Sequence, residues 1–409
     1  MRILHTSDWH LGRSFHRVGM LEHQAAYVDH LLEVVDAERV DVVLISGDVY
    51  DRALPQVDTV RLASQALARL AASRAKVILT SGNHDSASRL GFGSELIDAA
   101  GVFIRTELAA VGRPVLLEDA HGEVAFYPLP YLDPITAKDA WGLSARSHQA
   151  ALAEAMRRVG SEAERRGGRS VAMAHAFVAG NAPAATSDSE RDISVGGVSI
   201  VAAHLFEQMS YTALGHLHGA QQLGETIRYS GSPLAYSFSE EHQTKGSWLV
   251  DLDATGFAAA EFVPAPVPRR LARVEGDLET LLTDSRFAQA EDAWVQATLT
   301  DQVRPSHAME RLRRRFPHAL VLGFAATAPV VGHLPRPGAR PRRDHELVTD
   351  FVTELRGRAP STEELALLGF AVDACCEDAD LDPRATDADQ PAQESAGSGA
   401  AEEFAEVLF

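Results

Sequence analysis

The chain has 409 residues, 45% of them hydrophobic, a formal net charge of −19 and two cysteines. That length exceeds one typical domain and the apolar fraction is ordinary for a soluble globular protein, so two or three domains are expected. No apolar run approaches the roughly 20 residues that span a bilayer, and the first residues run into Asp8 and His10 without a leader pattern, so a cytoplasmic, non-membrane protein is expected. The adjacent Cys375 and Cys376 cannot build a disulfide framework. The charge argues against a broad basic surface for nucleic acid, although much of the acidity is local: the segment 375–409 carries Glu377, Asp378, Asp380, Asp382, Asp387, Asp389, Glu402, Glu403 and Glu406 and reads as a disordered tail.

In chain order, residues 1–4, 40–45, 76–79, 170–173 and 210–214 are short continuous apolar runs, the pattern of strands buried on both faces. Residues 21–38, 57–72 and 148–166 repeat apolar positions at helical spacing. Alternating strands and helices predict an α/β fold of layered sheets flanked by helices over residues 1–262, with a later strand at 246–253. The alternating Pro264, Pro266 and Pro268 predict a domain boundary, because proline interrupts helix and central strand alike. Strands at 271–274, 293–299 and 319–325 and helices at 278–287 and 306–316 then predict a small α/β domain, 270–332. A Pro/Arg-rich linker at 335–343 leads to a helical pair, 345–356 and 361–373, the second opening on the capping-box pattern Ser361 to Glu364. That segment, 343–374, is a candidate partner-docking element.

Each of the first five strands is followed by groups that bind metals: Asp8 and His10, Asp48, Asn83-His84-Asp85, His175, and His216 and His218. Residues two apart at a strand end point the same way, so Asp8 and His10 can reach one cation, as can His216 and His218. Layered α/β sheets place ligand sites at the C-terminal ends of strands. Singly, each cluster is more often a turn or a satisfied packing residue; five at one sheet edge predict a site for divalent metals held by oxygen and nitrogen, which suits Mn or Mg.

The ordered set Asp8-x-His10, Gly47-Asp48-Val49-Tyr50-Asp51, Gly82-Asn83-His84-Asp85, His175 and Gly215-His216-Leu217-His218 resembles the calcineurin-like metallophosphoesterases. The opening Met1 to Arg13 and Ser46 to Asp51 more narrowly resemble the SbcD family of bacterial nuclease subunits. The resemblance implies Asp8, His10, Asp48 and His218 around one metal and Asp48, Asn83, His175 and His216 around a second, with Asp48 bridging, as in two-metal hydrolysis. It implies that His84 stabilises the transition state or protonates the leaving oxygen, with Asp85 orienting it. It further implies Mn-dependent nuclease activity, exonucleolytic (3′ to 5′) on double-stranded DNA and endonucleolytic on single strands and hairpins, in DNA repair and recombination. The small domain would cap the DNA, with the basic stretch 311–315 equally explained as a solvated helix face. Implied partners are a second copy of the chain, through 11–33 and 53–62, and an SbcC-type coiled-coil ATPase, since this chain has no phosphate-binding Gly-x-x-x-x-Gly-Lys-Ser/Thr loop. Two alternatives stand beside this: a phosphatase or cyclic-nucleotide phosphodiesterase with the same metal motifs, and a non-catalytic DNA-binding scaffold.

Overall fold

Successive residues of the strand Arg2–Thr6 enter different cores, Ile3 one and Leu4 another, because side chains alternate between the faces of a strand. The same division runs through Val42–Ser46, whose Val42 and Leu44 oppose Val43 and Ile45, and through Lys76–Thr80, whose Ile78 opposes Val77 and Leu79. Both faces are buried, which is why these runs lack polar alternation. In this computed structural model the described residues are 1–180, 185–194, 200–325 and 344–379.

Two six-stranded sheets carry the first part of the chain. One has the order Phe257–Pro264, Gly246–Leu252, Arg2–Thr6, Val42–Ser46, Lys76–Thr80, Val102–Arg105, the last four parallel. The other runs Gln221–Gln222, Ile227–Tyr229, Tyr211–Gly215, Arg169–His175, Gly122–Pro128, Val115–Asp119, with the four middle strands parallel. The sheets face each other across Ile3, Leu44, Ile78, Phe126, Val171, Met173 and Ala213. The outer face of the first is covered by the helices Leu21–Ala37 and Val57–Ala71, through Tyr27, Leu31, Ala66 and Leu70. The outer face of the second is covered by Pro134–Trp141 and His148–Arg166, through Ala137, Leu152 and Met156. The expected layered α/β fold is therefore present, as helix, sheet, sheet, helix.

Among the described residues, several elements go beyond the sequence expectation, the longest of them five strands and one helix. Val102–Arg105, Val115–Asp119, Gly122–Pro128, Ile227–Tyr229 and Phe257–Pro264 are strands, and Pro134–Trp141 is a helix capped by Asp133. The alternating prolines begin inside a strand, not after one: Pro264 ends the edge strand Phe257–Pro264, where a missing N–H costs no ladder bond.

The parallel sheet Leu271–Gly276, Trp294–Leu299, Ala319–Phe324 forms a smaller lobe with the helices Leu278–Thr283 and Ala308–Arg315 around Val274, Leu281, Val295, Leu312 and Phe316. The expected helix 278–287 gives way at Asp284, whose carboxylate caps a 3-10 turn over Ser285–Ala290. An aromatic cluster of Phe15, Tyr236, Phe238 and Trp294 joins this lobe to the layered sheets, with Phe15 and Trp294 stacked at 5.0 Å. The described residues up to Ala325 make one compact unit, and the described residues 344–379 belong to another.

In the second unit, Asp344–Arg356 and Thr362–Ala379 form two helices. Ser361 and Glu364 cap each other reciprocally, Ser361 N–H to the carboxylate at 2.8 Å and Glu364 N–H to the hydroxyl at 3.2 Å. Phe351, Leu355, Leu367 and Phe370 are exposed within this unit. The linker 335–343 and residues 380–409 of the expected tail lie outside the described residues. Among the described residues, no helix is long and apolar enough to cross a membrane.

Candidate metal centre

All seven expected ligands stand at the C-terminal ends of parallel strands, from both sheets. Asp8 and His10 follow Arg2–Thr6, Asp48 follows Val42–Ser46 and Asn83 follows Lys76–Thr80. His175 ends its strand, while His216 and His218 follow Tyr211–Gly215. Turning the chain sharply here puts non-glycine residues in the left-handed region: Asp8 at φ 52°, His10 at 44°, Asp48 at 49° and His216 at 106°. Such conformations cost free energy and persist where the surroundings enforce them, most often at functional sites.

Asp48 occupies the middle. Its Oδ2 lies 3.4 Å from His175 Nε2, 3.6 Å from His10 Nε2 and 4.0 Å from His84 Nε2, while Oδ1 accepts the His84 N–H at 2.8 Å. On one side His10 Nε2 and His218 Nε2 face each other at 3.1 Å near Asp8. On the other, Asn83 Oδ1 lies 2.9 Å from His175 Nε2 and 3.2 Å from His216 Nδ1. Asp8 receives the His216 N–H at 3.1 Å and the Ser7 hydroxyl.

These donors are arranged for cations. His175 Nδ1 donates to the Ser46 carbonyl at 3.0 Å, which leaves Nε2 as a lone pair aimed at the Asn83 and Asp48 oxygens. Three acceptors then converge on one point, a repulsive set unless a proton or a cation sits among them. With only protons available, burial pulls His175 down but the Asp48 charge outweighs it and raises the imidazole to about 9. Burial and the neighbouring Asp48 raise Asp8 to about 7, whereas burial beside His175 lowers His216 to about 3. Asn83 Nδ2 and His10 Nδ1 are buried without a hydrogen-bond partner. Seven buried or half-buried oxygen and nitrogen donors, no thiolate among them, fit two hard or borderline divalent ions.

His84 lies beside the donors, its ring edge-on to His10 at 4.7 Å. The sequence reading has Asp85 orienting it, and here the structure differs. His84 Nδ1 donates to the Asp51 carbonyl at 2.8 Å, while the Asp85 carboxylate accepts the N–H groups of Gly82, Val49 and Tyr50. Asp85 thus ties the loops that carry Asn83 and Asp48 together, and burial raises its carboxyl to about 7.

A cavity of about 510 Å³ opens on the centre, lined by Arg13, Asp51, Arg52, Asn83, His84 and Arg191 among others. Sequence reasoning assigned no role to Arg13, Arg52 or Arg191; Arg13, three residues after His10, and Arg52, four after Asp48, lay close enough in the chain to suggest one, whereas Arg191 did not. It also missed Ser189, Glu240 and Lys245, which surround His218. Glu240 is fully buried; burial alone would raise its carboxyl, but the Lys245 ammonium at 2.5 Å holds it well below the usual range.

The basic stretch of the small lobe is engaged by acids: Arg311 with Glu279, Arg314 with Glu310 and Arg315 with Glu291. This favours a solvated, ion-paired face over a phosphate-binding one.

The family of calcineurin-like phosphoesterases matches residues 1–218, and that of the type 5 capsule protein repressor C-terminal domain matches residues 267–337. The SbcD subunit of the nuclease SbcCD of Staphylococcus epidermidis is 30% identical over 325 residues, which are 79% of this chain and 85% of the relative. Among solved structures, TT1561 of Thermus thermophilus is 13% identical with a TM-score of 0.34, over 64% of this chain and 98% of that one. A dimetal phosphatase from Danio rerio is 12% identical with a TM-score of 0.37, over 65% and 99%.

Proposed function

This chain belongs to the calcineurin-like phosphoesterases, and within them to the SbcD family of nuclease subunits, and on that premise we propose that it is a Mn-dependent DNA nuclease working with an SbcC-type ATPase. It is a metal-dependent phosphoesterase. The observation that carries the finer reading is the convergence of imidazole, amide and carboxylate donors on both sides of Asp48 Oδ2.

In this reading Asp8, His10, Asp48 and His218 hold one cation and Asp48, Asn83, His175 and His216 the other. Bound there, the pair would lower the pKa of a water and offset the charge that develops on the phosphoryl oxygens. The chain does the rest. His84 Nδ1–H is committed to the Asp51 carbonyl, so Nε2 faces the cleft and is the atom that would carry a proton to the leaving oxygen. Arg13, whose Nη1 is buried without a partner, and Arg191 and Arg52 at the cavity wall would receive substrate phosphates. Three guanidiniums at the mouth reconcile a strongly acidic chain with a polyanionic substrate.

The lobe 270–332 would cap bound DNA, and the helical pair within 343–374 would dock the ATPase through Leu347, Phe351, Leu355, Leu367 and Phe370. Leu54, Val57 and Val60, exposed in the segment 53–62, would meet a second copy. We place the protein in the cytoplasm. The test is end-labelled linear duplex DNA with Mn, with and without the ATPase subunit and ATP, against an Asp48→Ala control. Stepwise degradation that disappears in the control supports the reading. Hydrolysis of a small phosphate ester with DNA left intact under both conditions refutes the nuclease in favour of a phosphatase.

A further inference from the structure

His218 is the expected ligand with the most elaborate support. Its backbone N–H donates to Glu190 Oε1 at 2.8 Å, and its carbonyl accepts from Lys245 Nζ at 2.8 Å. Its ring Nδ1 meets Ser189 Oγ at 2.5 Å. Ser189 in turn contacts Glu240 Oε1, which also accepts from Ser187 Oγ at 2.6 Å. Glu240 Oε2 faces Lys245 Nζ. Arg13 anchors the same loop by donating to the Ser189 carbonyl at 2.6 Å.

The direction of these hydrogen bonds follows from chemistry. Glu240 is fully buried against an ammonium, so it is a carboxylate and can only accept. The Ser189 hydroxyl must give its proton to Glu240, which leaves only lone pairs on Oγ towards His218. Nδ1 must therefore carry the proton, and Nε2 is left bare, aimed at the centre beside His10 Nε2. Every polar atom of His218 except Nε2 is thus held by the chain.

We propose that Ser189, backed by the buried Glu240–Lys245 pair, is a positioning residue that sets the tautomer and orientation of His218 for cation binding. The inference rests on His218 being a metal ligand. A partner on the far nitrogen of a ligating imidazole fixes ring and tautomer, and its removal typically lowers metal affinity by about 10- to 100-fold. Ser187 controls for the loop as a whole, since it donates to Glu240 and meets the Ser189 hydroxyl at 2.9 Å and the Ser189 N–H at 3.1 Å but does not touch His218.

The experiment is Mn titration of the full chain, by calorimetry and by electron paramagnetic resonance of free Mn, for wild type, Ser189→Ala, Ser187→Ala and His218→Ala. The expected result is two Mn per wild-type chain and one site weakened about 10- to 100-fold in Ser189→Ala with the other unchanged. Ser187→Ala stays within about threefold of wild type and His218→Ala loses the same site that Ser189→Ala weakens. Wild-type affinity in Ser189→Ala, with the site lost in His218→Ala, overturns the positioning role alone. An equal loss in Ser187→Ala overturns it too, by showing a general effect of the loop. Two tight sites in His218→Ala overturn the ligand assignment itself.

Discussion

Replacing Gly82 by alanine strikes the centre without removing a single donor. A Cβ built at Gly82 lies 2.1 Å from Asp48 Oδ1 and 2.3 Å from the Asp48 amide nitrogen. Ordinary contact begins at 3.4 Å, so the carboxylate or its loop must retreat by about 1 Å, and misplacement on that scale costs about 100-fold in rate. The backbone of Gly82 is not in the left-handed region, so the effect is steric rather than conformational, and overpacking should lower stability by only about 1–3 kcal/mol. Gly224, with nothing within 4 Å of its built Cβ, is the silent control. The assay is Mn-dependent hydrolysis of bis(p-nitrophenyl) phosphate with thermal melting alongside. Gly82→Ala should remain folded and lose about two orders of magnitude in rate, and Gly224→Ala should match wild type. A Gly82→Ala rate within about threefold of wild type would refute the claim that Asp48 is held within tight limits.

Other expectations follow the same geometry. His84→Ala should bind Mn normally by calorimetry yet lose about 10²- to 10⁴-fold in turnover; unchanged turnover would remove His84 from the chemistry. Phe126, fully buried between the two sheets, should cost about 3–5 kcal/mol as Phe126→Ala in urea melts, and a loss under 1 kcal/mol would mean that the facing sheets are not the core. Asp119 accepts two hydrogen bonds from the buried Arg169, which hold its carboxyl well below the ordinary value. A depressed carboxyl contributes stability that is whole above the unfolded pKa, near 3.9, and is lost as pH falls toward the folded one. Asp119→Asn should therefore cost about 2–4 kcal/mol at neutral pH, and the gap in melting temperature from wild type should close as the pH is lowered below about 4. A constant gap from neutral pH to pH 2 would contradict the pairing.

The seven candidate donors and their convergence could be read from the chain because each follows a run buried on both faces, and such runs announce a strand whose end lies at the sheet edge. Strands at the sheet edges announced less. Val115–Asp119 mixes apolar and acidic residues on both faces, with Leu116 exposed, and Phe257–Pro264 opens with three alanines after its first residue and ends in proline. Their conformation comes from pairing with Gly122–Pro128 and Gly246–Leu252 rather than from local preference. The support of His218 was invisible for a different reason. Ser189 comes from one loop and Glu240 and Lys245 from another, with no spacing rule to join them, and their meaning arises only when Glu240 is seen buried against Lys245. The role given to Asp85 failed on a detail that sequence cannot supply. The Asp51 carbonyl reaches His84 first, and three backbone amides claim the Asp85 carboxylate.

The central claim is that Asp48 joins two cations, and the direct measurement is an anomalous-scattering map of crystals grown with Mn. Two peaks per chain are expected, both in contact with Asp48, one also touching Asp8, His10 and His218 and the other Asn83, His175 and His216. A single peak, or two peaks that do not share Asp48, would contradict the two-metal account.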